Sequence, residues 1–180
     1  MGMPGSCRRL IALLAVAGIA AVPASAALAS PRQPSVSLSS LEQGVLSDIN
    51  ALRASHHLPT LRLSPALTDA ARAHSEEMET DGYFAHSSND GMAFWKRIQR
   101  FYSSTKWHYW SVGENLLWSS PSVDPQGAMT LWLNSPEHRK NMLDPHWREI
   151  GISAVHEPDA PGVYNGLDVT IVTTDFGVRR

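Results

Sequence analysis

Cysteine is nearly missing from this chain: Cys7 is the single thiol among 180 residues. A disulfide scaffold is therefore excluded, because a crosslink needs two. An excess of either charge is missing as well. Lys and Arg total 15 against 17 Asp and Glu, a formal net charge of −2. Nothing in that balance would draw a phosphate backbone from a distance, so no nucleic-acid partner is expected. No apolar run reaches the length of about 20 residues that a membrane-spanning helix needs. The Gly-x-Ser-x-Gly turn that exposes a hydrolase nucleophile does not occur. Core material is plentiful, however. Hydrophobic residues make up 43% and charged ones 18%, the balance of one globular domain.

The N-terminus has a pattern of its own. Arg8 and Arg9 precede an uncharged apolar run from Leu10 to Val22, Pro23 breaks it, and Ala24-Ser25-Ala26 offers a small-x-small cleavage site. Residues 1–26 read as a secretory signal peptide, and the protein as one secreted by a bacterial export route. Cleavage after Ala26 removes Cys7, two cations and no acid. The mature chain is then more acidic, free of cysteine and without a transmembrane segment, which excludes thiolate catalysis and Cys-ligated zinc. Residues 27–40, rich in Ser and Pro, read as a disordered lead-in to a domain spanning 41–180.

Helices come first in that domain. Ser39-x-x-Glu42 has the spacing of a capping box, and Leu41, Val45, Ile49 and Leu52 form one stripe behind it, up to Pro59. Ser64 and Pro65 mark the start of a second helix. Leu67, Ala70, Ala71, His74 and Met78 lie on its inner face, and Gly82 closes it. A third follows the Asn89-Asp90-Gly91 turn, with Met92, Trp95 and Ile98 at three-residue steps, and a fourth covers about Pro125 to Leu133. Ile150–Val155 and Leu167–Phe176 read as a hairpin of strands across the loop HEPDAPGVYNG. Helices followed by strands, without regular βαβ alternation, predict an α+β domain.

Three segments carry chemistry. His86 in Gly82-Tyr83-Phe84-Ala85-His86 falls just past a helix end. Glu114 in Gly113-Glu114-Asn115 opens an apolar stretch that could present its carboxylate inward. His138 sits in the first turn of a helix restarted by Ser135-Pro136. A Ser135–His138–Glu114 hydrolase constellation competes with a simpler reading in which Ser135 caps that helix, and capping is preferred. His74 reads as a core histidine with one hydrogen bond. Lys106-Trp107-His108-Tyr109-Trp110 reads as packing, with ligand contact as the alternative. Arg139 and Asn141 read as residues that pin the His138 turn, with binding of an anionic ligand as the alternative.

In the order GYFAH, GEN, WLNSPEHR, IG-x-S and DFG, residues 41–177 resemble the CAP superfamily of cysteine-rich secretory, antigen 5 and pathogenesis-related 1 proteins, also called SCP domains. The resemblance implies a three-layer α-β-α sandwich with a central cleft lined by two histidines and two acidic residues. On this chain those positions are His86, Glu114 and His138. Where family members with all four groups place a second glutamate, three residues after Trp132, this sequence has Ser135. Two neutral imidazoles suit Zn²⁺, so His86 and His138 are the candidate metal ligands and Zn²⁺ the candidate cofactor, with Glu114 beside a bound water as general base.

Two readings of function follow. One is a secreted, non-catalytic module whose cleft, with His86, Glu114, Ser135 and His138 as binding residues, takes an extracellular ligand: a lipid, a peptide or a cell-envelope fragment. The other is a metal-dependent hydrolase of the peptidase kind working in the same cleft with Glu114 as its catalytic residue. The missing second glutamate leans toward binding.

Overall fold

The computed structural model describes Met1 and residues 38–180. The expected signal peptide and the lead-in up to residue 37 lie outside the described residues. No helix among the described residues is long and apolar enough to cross a membrane.

The elements run α1 (Ser40–Ser55), β1 (Arg62–Leu63), α2 (Pro65–Asp81), α3 (Phe94–Phe101), β2 (Trp110–Ser119), α4 (Pro125–Leu133), α5 (Pro136–Met142), β3 (Glu149–Ala160) and β4 (Leu167–Arg179). The four strands form one sheet in the order β1-β3-β4-β2. β1 runs parallel to β3, and the other pairs are antiparallel. Helices α2 and α3 cover one face, while α1, α4 and α5 gather on the other. This is the α-β-α sandwich the resemblance implied.

Local chemistry explains the boundaries. Ser39 and Glu42 exchange both bonds of the capping box, and Val45 and Ile49 on the stripe behind them are fully buried. The α1 helix nevertheless stops at Ser55, ahead of Pro59, because His57 adopts a left-handed φ of 58° that helical backbone cannot accommodate. Gly82 closes α2 in the left-handed conformation that a helix C-terminus favours. Asp124 caps α4 from its side chain, with Pro125 at the first position.

Three details differ from the pattern reading. On α3 the buried residues are Arg97 and Ile98, and Trp95 faces out; a helix of eight residues anchored by one side chain needs no three-residue stripe. The hairpin is longer than its Val/Ile/Thr core, since His156 to Ala160 continue β3 through a register irregularity between Glu157 and Ala160. Ser64 occupies the N-cap of α2 but makes no side-chain cap bond.

Strand alternation divides the core. Val172, Phe176 and Val178 join Val45, Ile49, Trp132, Ile150 and Ile152 under α1 and α4. Val169 and Ile171 join Met78 and Leu116 on the α2 side, where Thr173 also accepts from Ser75 of α2 at 2.8 Å. Gly151 lets α2 lie close on the sheet: a Cβ there would overlap the backbone of Leu67 and Thr68.

Candidate functional site

A cleft of about 420 Å³ opens at β2, the outer strand, with walls from both helical layers. His86 is delivered by the turn after α2. His74, fully buried on α2, bonds through Nε2 to the Ala85 carbonyl at 2.9 Å, and burial holds its pKa below the ordinary histidine value. The core histidine expected at position 74 thus also clamps the segment that carries His86. Arg97 donates from α3 to the His86 carbonyl at 3.0 Å.

Glu114 lies beneath His86, its side chain 1% exposed. One carboxylate oxygen meets Nδ1 of His86 at 2.8 Å, and the other receives the Arg97 guanidinium. With that carboxylate accepting from Arg97, the proton of the second contact is assigned to Nδ1 of His86, which donates to Glu114. Nε2 is the ring nitrogen left for a ligand, and 53% of the His86 side chain is exposed. Directly across the ladder from Glu114 is Asp175, fully buried, with no hydrogen-bond partner for either oxygen among the described residues. Burial, then the Glu114 charge, pushes its pKa well above the usual carboxylate range. Asp175 is therefore the neutral member of the pair, because two carboxylates this close cannot both ionise.

The opposite wall is α5. Asn115 donates to the His138 carbonyl at 3.1 Å, and Asn141 donates to the Glu114 carbonyl at 3.1 Å and to Oδ1 of Asn115 at 2.9 Å. Gly113 leaves the room this requires, since a Cβ would overlap Asn141 and Trp147. In Gly-Glu-Asn, then, the glycine admits Asn141, the glutamate supports His86 and the asparagine fastens α5. Asn141 pins the His138 turn as expected, while Arg139 is exposed. Arg53, buried in the far layer, donates to the carbonyls of Met142 and Asp144 at 2.7 and 2.9 Å and so steadies the cleft rim. Burial, reinforced by His86, lowers the pKa of His138.

The structure thus brings His86, Glu114 and His138 to one cleft, but not Ser135. That residue holds the N-cap position of α5 without a side-chain cap bond and does not line the cleft. The charged groups at the mouth are Glu137, Lys140 and Asp144. Arg97 and Asp175 escaped the sequence reading. The signals were position, a cation beside Ile98 on α3 and an acid inside a Val/Ile/Thr strand, and for Asp175 also its place at the head of the DFG segment.

The donor set does not make up a zinc centre. Among the described residues no group of three or more His, Cys, Asp or Glu is arranged to hold a metal ion, and Glu114 is engaged on both oxygens. Catalytic zinc takes three protein ligands. The cleft offers two imidazoles, one ring oriented through Nδ1 by a buried carboxylate. Such a ring accepts a hydrogen bond from a ligand O–H or N–H.

Comparison with known proteins bears on the whole arrangement. The model of the cysteine-rich secretory protein family, CAP, matches residues 46–174. The uncharacterized protein YkwD of Bacillus subtilis is 32% identical over 119 residues, 66% of this chain and 44% of that protein. A solved extracellular protein containing an SCP domain from Bacillus anthracis is 29% identical with a TM-score of 0.58, over 77% of this chain and 40% of that one. An outer surface protein of Borrelia burgdorferi shares the fold at 21% identity and a TM-score of 0.59, over 77% of this chain and 92% of that one. The chain spans less than half the length of the two Bacillus proteins.

Proposed function

The chain belongs to the cysteine-rich secretory protein (CAP) family, and from that premise we propose that it is an exported ligand-binding module. Its cleft takes an extracellular ligand, a lipid, a peptide or a cell-envelope fragment, that donates a hydrogen bond to Nε2 of His86. One observation carries this reading: Glu114 is committed between Arg97 and His86, which makes it a support for the imidazole and leaves it no free oxygen to activate water. His138 completes the recognition surface, and Glu137, Lys140 and Asp144 select among ligands at the mouth. The signal-peptide pattern around Leu10–Val22 and the extracellular relative from Bacillus anthracis support export.

The experiment is calorimetry on the protein collected after secretion, beside His86→Ala and His138→Ala. Muropeptides, lysophospholipids and Zn²⁺ are titrated separately at pH 7.5 and 5.5. Binding of an organic ligand without metal, lost in His86→Ala, supports the module. Zn²⁺ binding that needs both histidines, with cleavage of a peptide library, would replace it by the metal-dependent hydrolase. Heat from none of the three would sink both.

A further inference from the structure

The segment Lys106-Trp107-His108-Tyr109-Trp110 did not become packing. Residues 105–109 are exposed in succession, with Trp107 at 45% and Tyr109 at 39% of full exposure. Only Trp110 turns in, donating to the Tyr102 carbonyl at 2.8 Å. Large rings left in water at the end of a well-packed sheet mark a contact surface.

The charges around these rings share one sign. No acid occurs between Asp90 and Glu114, a stretch that holds Lys96, Arg100 and Lys106 besides the buried Arg97. Tyr109 and Arg180 exchange backbone bonds of 2.9 and 3.0 Å, which brings the end of β4 alongside the start of β2. The Arg179 guanidinium lies 4.1 Å from the ring centre of Tyr102 and 5.3 Å from that of Trp107, and Arg180 lies 4.9 Å from that of Tyr109. The carboxylate that touches this region, Glu149, is already engaged with the Tyr102 hydroxyl and with Arg62 as well as Arg179. A chain of net charge −2 therefore carries a local face of cations interleaved with aromatic rings.

We propose that this end of the sheet docks on an anionic phospholipid bilayer, with Trp107 and Tyr109 entering the headgroup layer and Lys106, Arg179 and Arg180 meeting its phosphates. Charge complementarity selects the anionic surface. The rings select a bilayer over a soluble polyanion, because amphipathic Trp and Tyr gain from the boundary between headgroups and acyl chains. A glycan is the weaker fit: sugars stack on free ring faces, and here guanidinium groups already lie over Trp107 and Tyr109. The surface is separate from the His86 cleft and does not depend on what that cleft binds.

Flotation of the secreted protein with vesicles tests this. The protein floats with phosphatidylglycerol vesicles, remains behind with phosphatidylcholine vesicles, and is released as salt rises. Lys106→Asn weakens partitioning by about fivefold, the share of one cation near an anionic surface. Asn suits the left-handed φ of 74° at that position, so the variant keeps its fold. Trp107→Ser with Tyr109→Ser abolishes flotation while circular dichroism is unchanged. Equal binding to phosphatidylcholine, or indifference to both variants, overturns the proposal. Retention on dextran sulfate without vesicle binding also overturns it and assigns the face to a polyanionic glycan. Self-association that depends on Trp107 overturns it in favour of a second copy of the chain.

Discussion

On the α1/α4 side Ile152 and Phe176 of the sheet pack with Val45, Ile49 and Trp132; on the α2/α3 side the same sheet presents Thr173 to Ser75 and Glu114 to Arg97, with Asp175 buried opposite Glu114. The first layer works by removing apolar surface from water, an effect without direction that tolerates small shifts. The second adds to its own apolar clusters polar groups such as Ser75, Thr173, Arg97 and Glu114 that bond at fixed distance, because a buried polar atom left alone is expensive. His86 depends on the second layer and Arg53 holds the cleft rim from the first. The geometry of His86 is thus set from the α2/α3 face, while the α1/α4/α5 face carries the largest apolar cluster and the Asn115 and Asn141 contacts that hold the His138 wall.

The strongest way to break this division is Trp132→Ala. The ring is 1% exposed and donates to the Leu116 carbonyl at 3.1 Å, so truncation should cost about 3–5 kcal/mol in urea unfolding. The chemical shifts of His86 should hardly move. A large movement there would show that the apolar face also sets the site. On the other face, Arg97→Met leaves the buried Glu114 carboxylate without its guanidinium, at a cost of about 3 kcal/mol. Here His86 should lose its fixed tautomer, read by nitrogen shifts of the imidazole. An unchanged tautomer would mean that Glu114 holds His86 without Arg97.

Asp175→Asn sharpens the comparison through pH. The folded-state pKa of Asp175 is raised above its ordinary value, so folding takes up a proton at any pH between the two. Stability from this group is therefore present at low pH and falls as pH rises, by up to about 1.4 kcal/mol per unit. The asparagine variant has no proton to take up. It should match the parent near pH 4 and exceed it increasingly toward pH 7, in unfolding curves at several pH values. Parallel pH profiles would show that Asp175 is ionised in the folded protein.

Much of this fold was legible. Pro125 after Asp124 and the apolar run to Leu133 bounded α4, and Ser39 with Glu42 bounded the start of α1, because capping and proline act over a few residues. His86, Glu114 and His138, which meet in the cleft, stood out through the resemblance of the segments that carry them. Arg97 and Asp175 did not. Each is an ionisable group in a buried position: Arg97 is held there by Glu114, which arrives from another element, and Asp175 stands opposite Glu114 across the ladder in its neutral form. The start of β2 was hidden for a related reason: Trp107 and Tyr109 have the apolarity of core residues and the structure leaves them in water.

Serine before a helix carries the same lesson at the smallest scale. Ser39 and Ser135 both occupy N-cap positions, and from sequence both read as caps. Only Ser39 uses its side chain, accepting from the Glu42 amide at 3.3 Å while Glu42 reaches back to the Ser39 amide at 2.7 Å. Glu42 also receives the Ala154 amide at 2.9 Å, which ties that cap to β3. Ser39→Ala should therefore cost about 1 kcal/mol. Ser135→Ala removes a hydroxyl that makes no cap bond and lies outside the cleft lining, so unfolding should change by less than about 0.5 kcal/mol. Ligand affinity should be unchanged in calorimetry as well. A loss of affinity in Ser135→Ala would bring that hydroxyl into the cleft and revive the constellation with His138 and Glu114, whereas equal costs for the two serines would mean that α5 is capped in solution as α1 is.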